Sequence, residues 1–322
     1  MSKLLRQAPI AFFLVWIAQL ALAQDFPTKP VHFVVPFPPG GAADILMRIL
    51  ADPLSERWRK PVIVDNRPGA STIVASEIVA RAPADSYTLL MNSASLLINP
   101  SLRPKMPFDV FKDFAPVMLL VNSPLVLVIN SSSSVMSFSA LVDEARAHPG
   151  QLSYATVGPG TTQQIIGEML KLEAKIDLLY VPYAGGAPAV SAILGNHVAV
   201  VIGNYSEVAQ HLAAGRLRAL AVASPERIDL LPEVPTISES GFKNVQGTVW
   251  FGIVAPAGTP KDTVTRMRTD LAFVLKMPTV REKLIAQGLY PVGSTADEFG
   301  PYMRAVSVKY EKVIQAAGIK AE

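Results

Sequence analysis

Short runs of β-branched and apolar residues alternate along the chain with longer stretches whose apolar positions recur every three to four residues. Val31-His32-Phe33-Val34-Val35 predicts a buried strand, and a Pro/Gly loop then leads into an amphipathic helix from about Ala42 to Trp58. Val62-Ile63-Val64 predicts a second strand, residues 71–81 a helix, and Tyr87 to Met91 a third strand. The same alternation returns later. Strands are expected at 126–129, 152–156, 178–181, 198–202 and 217–223, separated by helices at 139–147, 161–173, 187–194 and 205–214. Strands spaced by helices imply an α/β architecture with parallel or mixed sheets covered on both faces.

Two apolar segments, residues 115–129 and 245–255, carry no helix between their strands. Both are read as crossings between two lobes. The expected organisation is one lobe of residues 25–124 plus 250–322 and a second of residues 125–249, hinged about a cleft. A chain of 322 residues is comfortable for two such units.

The first residues change the picture. Lys3 and Arg6 precede an uncharged stretch from Pro9 to Leu22 that ends in Ala21-Leu22-Ala23. A charged start, an apolar middle and a small-x-small site describe a secretory signal peptide over residues 1–23. The apolar run is short of the roughly 20 residues that span a bilayer. The chain has no cysteine, so neither disulfides nor lipid attachment at a cleavage-point cysteine is available. The expectation is a periplasmic protein that is not a lipoprotein. The net charge is only +3 and forms no basic stripe, which argues against nucleic acid.

Two loops carry candidate chemistry. Pro36-Phe37-Pro38-Pro39-Gly40-Gly41-Ala42-Ala43-Asp44 follows the first strand and opens a helix. Val157-Gly158-Pro159-Gly160-Thr161-Thr162-Gln163 does the same in the second lobe. Unpaired N–H groups at a helix N-terminus suit an anion, and ligands of parallel α/β sheets sit outside the carboxyl ends of the strands. One loop per lobe could share one carboxylate across the cleft. Either loop alone is equally an ordinary tight turn. Neither matches a phosphate-binding or dinucleotide-binding fingerprint.

At this point the chain resembles a known family. PFPPGGAADILMR (36–48), NRPGAS (66–71), INPSLRPKMPFDVFKDFAPV (98–117), YATVGPGTTQQ (154–164), VPYAGGAPAV (181–190), GRLRALAVAS (215–224), LPEVPTISESGF (231–242), WFGIVAPAGTP (250–260) and AGIKAE (317–322) look like the ordered motifs of the Bug receptors. These are the periplasmic binding components of tripartite tricarboxylate transporters. The resemblance implies a two-lobed periplasmic-binding fold of type II-like form, and no cofactor or metal is expected. It implies that Phe37, Pro39, Gly40, Gly41 and Ala42 surround a ligand carboxylate from the first lobe. Gly158, Gly160, Thr161, Thr162 and Gln163 would approach from the second, using backbone amides and bridging waters. Ser93, Ala94, Ser95 and Asn204, at other strand ends, are candidates for the outer part of the ligand.

The departures bear on the ligand. Ala184 stands where the family usually has lysine, and Ala199 and Gly203 stand where acidic residues are common. Without a carboxylate to meet an ammonium group, a non-amino mono- or dicarboxylate or an aromatic acid is favoured over an amino acid. Asp44 and Arg48 read as an i,i+4 pair, and Arg67 and Arg81 as solvated or ion-paired surface residues. The four histidines show no metal-ligand spacing. No nucleophile motif is present, so the chain is not expected to be an enzyme; an exported hydrolase is the alternative from another class. A monomeric receptor serving a membrane transporter and a sensor serving a membrane signalling protein share the same binding chemistry, and the residues do not separate them.

Overall fold

A computed structural model describes residues 26–103 and 105–319. The leader read at residues 1–23 lies outside the described residues. The first strand, β1 (Val31–Val35), sits between β2 (Val62–Asn66) and β3 (Thr88–Ser93), and all three run parallel. Both faces of such a strand are covered, which is why Val31, Phe33, Val34 and Val35 are all buried. Helix α1 (Ala42–Trp58) packs its buried stripe of Ala43, Leu46, Met47, Leu50 and Leu54 against this sheet.

A second parallel set holds β5 (Ser153–Thr156) between β6 (Leu179–Pro182) and β7 (Val200–Asn204). The two sets are joined by β4 (Phe114–Asn130), a single strand of 17 residues. Its first part pairs antiparallel with β9 (Thr248–Pro256), which in turn borders β3. Its last part pairs with β7 and with β8 (Leu217–Val222). The change of partner is abrupt: Pro124 faces Thr248, and Leu125 faces Asn204. The two segments without an intervening helix are thus adjacent antiparallel strands. One apolar cluster runs without a break from Phe33 and Leu46 through Val121 and Leu125 to Phe138 and Tyr154.

Two local expectations need correction. The helix expected from residue 71 begins at Ile73, as α2 (Ile73–Ala80). Ala70, Ser71 and Thr72 before it are left-handed, with φ of 44°, 56° and 79°. Asn99 Nδ2 holds the Ser71 carbonyl at 2.8 Å, and Arg103 Nη2 donates to the Ser71 hydroxyl at 3.1 Å. A further helix, α3 (Ser95–Leu102), was not expected, because Pro100 masks its periodicity.

The remaining elements place the lobes. Helices α4 (Val110–Asp113) and α5 (Phe138–Ala147) flank β4 in sequence. In the second lobe α6 (Thr162–Ala174), α7 (Gly186–Leu194) and α8 (Tyr205–Ala213) follow β5, β6 and β7 respectively. After β9 come α9 (Lys261–Lys276), α10 (Pro278–Ala286), the short β10 (Tyr290–Pro291) on β4, and α11 (Ala296–Ala317). Helix α11 packs on α3 and reaches α6, where Tyr310 Oη lies 3.3 Å from Thr162 Oγ1.

Candidate functional site

The carboxyl ends of β1, β3, β5, β6 and β7 open on one interlobe cavity, as parallel α/β sheets dictate. The N-termini of five helices line it. Gly41, Ala42 and Ala43 begin α1, Ser95 begins α3, Thr161 and Gln163 begin α6, Gly186 begins α7, and Asn204 and Glu207 begin α8. Phe37, Ser93, Val157, Val249 and Phe251 complete the wall. The first N–H groups of a helix have no intrahelical partner, and the aligned peptide dipoles add positive potential there. Neither lysine nor arginine is among these lining residues. The cavity measures about 20 Å³ between the lobes. That is room for about one water.

A larger groove of about 280 Å³ lies outside it, lined by Pro36, Pro38, Pro68, Gly158, Pro182 and Tyr183 among others. Phe37, Val157 and Thr161 border both spaces and form the wall between them.

The two glycine loops are built alike. Gly40 and Gly160 both have positive φ, 81° and 67°. Gly41 and Thr161 then serve as N-caps, and only Thr161 caps with its side chain, accepting from the Gln164 N–H. Asp44 Oδ2 accepts from Gly40 N–H and from Arg48 Nε, each at 2.9 Å, so the expected helical pair also braces the loop. Burial works against the Asp44 charge, but Arg48, the Gly40 N–H and Asn66 outweigh it and hold the carboxyl below its usual range.

Of the residues singled out in the sequence, Phe37, Gly41, Ala42, Ser93, Ser95, Thr161, Gln163 and Asn204 line the cavity. Gly158 lines the outer groove instead. Pro39, Gly40, Gly160 and Thr162 line neither space. Gly160 meets the other lobe: a Cβ there would stand 2.4 Å from Asn99 Oδ1. Its lack of a side chain therefore lets the lobes approach.

Sequence reasoning missed Glu207. It reads as an ordinary acid in the first turn of α8, and Glu207 Oε2 does accept from Asn204 N–H at 2.9 Å. Its other oxygen crosses the cleft and accepts from Ala42 N–H of α1 at 3.4 Å. Gly186 makes the space, since a Cβ there would fall 2.2 Å from the Glu207 carboxyl. Burial raises the Glu207 carboxyl above its ordinary value, although the N–H groups of Asn204 and Ala42 and the Asn204 side chain pull it back. Beside it the buried Asn204 forms a capping box with Glu207 at the start of α8. Although Ala199 and Gly203 are not acidic, Glu207 thus brings a carboxylate to the site, one that an ammonium-bearing ligand would meet.

The chain is similar to known proteins in sequence and fold. Protein BugT of Bordetella pertussis is 34% identical over 322 residues, 99% of each chain. The R. palustris protein Rpa4515, solved with adipate, superposes with a TM-score of 0.89 at 33% identity, over 92% of this chain and 99% of that one. MatC from Rhodopseudomonas palustris, solved with bound malate, gives 0.84 at 27% identity, over 90% of this chain and all of that one. The family model described as the tripartite tricarboxylate transporter family receptor matches residues 46–319. With that match spanning most of its length, this chain belongs to the tripartite tricarboxylate transporter receptor family.

Proposed function

We propose that this protein captures a small organic carboxylate between its lobes and delivers it to membrane subunits of a tripartite tricarboxylate-type transporter. One observation carries the reading: five helix N-termini converge on a cavity lined by no basic side chain. Such a site holds an anion by peptide N–H groups and bridging waters, and performs no chemistry on it. Ser93, Ser95 and Gln163 add side-chain polar groups that orient the solute. Gly41, Ala42 and Ala43 contribute from one lobe, Thr161, Gln163 and Asn204 from the other, so ligand contacts are complete only when the cleft is shut.

The hinge is assigned to the change of partner in β4 between Pro124 and Leu125 and to the start of β9. The similar proteins solved with adipate and with malate support a non-amino mono- or dicarboxylate as the solute class. The signal-like start at residues 1–23 supports export to the periplasm, and among the described residues no helix is long and apolar enough to cross a membrane. The working unit is taken as a monomer.

A thermal-shift screen of the chain lacking residues 1–23 against aliphatic and aromatic carboxylates tests the reading. A binder at 100 times its dissociation constant adds about 2.7 kcal/mol of stability. Calorimetry must then show one carboxylate per chain, released unaltered. Turnover of an ester or amide, or no response to any carboxylate, would overturn the assignment.

A further inference from the structure

Glu207 projects into the same cavity that the proposed solute carboxylate would enter, and it already lies against one of the helix N-termini that make the site. We infer that Glu207 is an internal carboxylate that occupies the α1 seat when the cleft is shut, and that an incoming solute carboxylate must displace it from Ala42. This deepens the binding reading above and rests on it.

The two contacts of Glu207 are unequal. Its bond to Asn204 N–H, within its own helix turn, is 2.9 Å, whereas the bond across the cleft to Ala42 N–H is 3.4 Å. The first anchors the side chain and the second is the weaker, so the cross-cleft contact is the one to break. Space is matched to the group: Gly186 lies against the Glu207 carboxyl where any side chain would collide, and Gly41 lies across from it. The cavity volume of about 20 Å³ does not admit a carboxylate beside Glu207 while the lobes are in this position. Entry therefore requires the cleft to part, which separates Ala42 from Glu207, and reclosure then seats one anion or the other.

Among the described residues no cationic side chain pairs with Glu207: of the strands packed on α8, β4 carries no ionisable residue, and Arg218 of β8 donates to the Val135 and Ser131 carbonyls. On α1 the first ionisable residue is Asp44, tied to Arg48 and to Gly40 N–H. Helix α7 and strand β7 carry no ionisable residue. On α8 itself His211 lies one turn on, its imidazole pushed towards the neutral form by burial and by Arg216. Only peptide dipoles and Asn204 hold the charge, and burial disfavours it. A protonated Glu207 competes poorly for a helix N-terminus. Carboxylate affinity should therefore rise as pH falls towards the raised Glu207 value, and this dependence should vanish in Glu207→Gln.

The direct test uses the receptor lacking residues 1–23, its Glu207→Ala and its Glu207→Gln variants. Acetate, against sodium chloride at equal ionic strength, should raise the melting temperature of Glu207→Ala well beyond its effect on the parent, because acetate refills the vacated seat. Calorimetry with malate and adipate should show Glu207→Gln binding several-fold more tightly than the parent. An equal acetate response in parent and Glu207→Ala would overturn the inference. So would weaker binding by Glu207→Gln, which would make Glu207 a partner of the solute. If Glu207→Ala does not fold, the near-isosteric Glu207→Gln decides through acetate binding measured by calorimetry: tighter than the parent supports displacement, equal or weaker overturns it. A parent that binds no carboxylate while Glu207→Ala still takes up acetate would sink the receptor reading and leave the α1 seat standing.

Discussion

Gly40 and Gly160 stand in equivalent places in the two lobes, and each donates its N–H to the side chain four residues on. Gly40 reaches Asp44 Oδ2 at 2.9 Å and Gly160 reaches Gln164 Oε1 at 2.8 Å. Each loop is thus tied to the helix it opens, which keeps that helix's remaining first N–H groups aimed at the cavity. The same device, made once with a charged acceptor and once with a neutral one, forms both jaws.

Removing the charged tie should loosen the first jaw. Asp44→Ala deletes an acceptor for Gly40 and for Arg48, and is expected to cost about 1–3 kcal/mol, the range for hydrogen bonds to a charged group. Because the folded Asp44 carboxyl titrates below its ordinary value of 3.8, it contributes stability that is present above that value and lost as pH falls through the lower folded one. Acid denaturation followed by circular dichroism should show a shallower loss at low pH in Asp44→Asn than in the parent. Identical acid limbs would refute the assignment.

Gly160→Val tests closure rather than ligand contact. The new side chain would drive into Asn99 and would have to adopt φ near 67°, which a β-branched residue resists. The expected result is a loss of about 1–3 kcal/mol in solute affinity, as for overpacking, together with a more open envelope in small-angle scattering. Adding Asn99→Ala should recover part of the affinity. No recovery would mean that backbone strain alone is responsible.

Away from the cleft, Asp270 on α9 is fully buried and accepts from Arg57 Nε at 2.5 Å, Trp58 Nε1 at 2.8 Å and Arg266 Nε at 3.1 Å. It pins the end of α1 to α9. Asp270→Ala leaves two part-exposed guanidinium groups and an indole without their acceptor, and should cost about 1–3 kcal/mol in chemical denaturation. Solute affinity of the folded fraction should be little changed, since the far end of α1 carries the site.

Much of this could be read from the chain because its signals are local. The Pro/Gly loops at 36–41 and 157–160 stop a strand and start a helix, and Val31 to Val35 carries the apolar run of a strand covered on both faces. What escaped depends on distant pairs. Glu207 looks like a simple helix-start acid until β4 and β7 bring α8 opposite α1. The packing of Gly160 against Asn99 is hidden as well, because Asn99 comes from a helix masked by Pro100. The contact of the Thr162 hydroxyl with Tyr310 on the C-terminal helix likewise joins residues far apart in sequence.

The uninterrupted course of β4 has a mechanical outcome. A tether of loop residues would let the halves drift through many orientations, whereas one continuous strand, paired on both sides of Leu125, bends and twists as a leaf spring with a preferred rest angle. The jaws should therefore meet in the same alignment on every cycle, and neither half is a detachable module. Severing the chain near Leu125 would split one strand between two fragments and leave each with a raw, unpaired sheet edge.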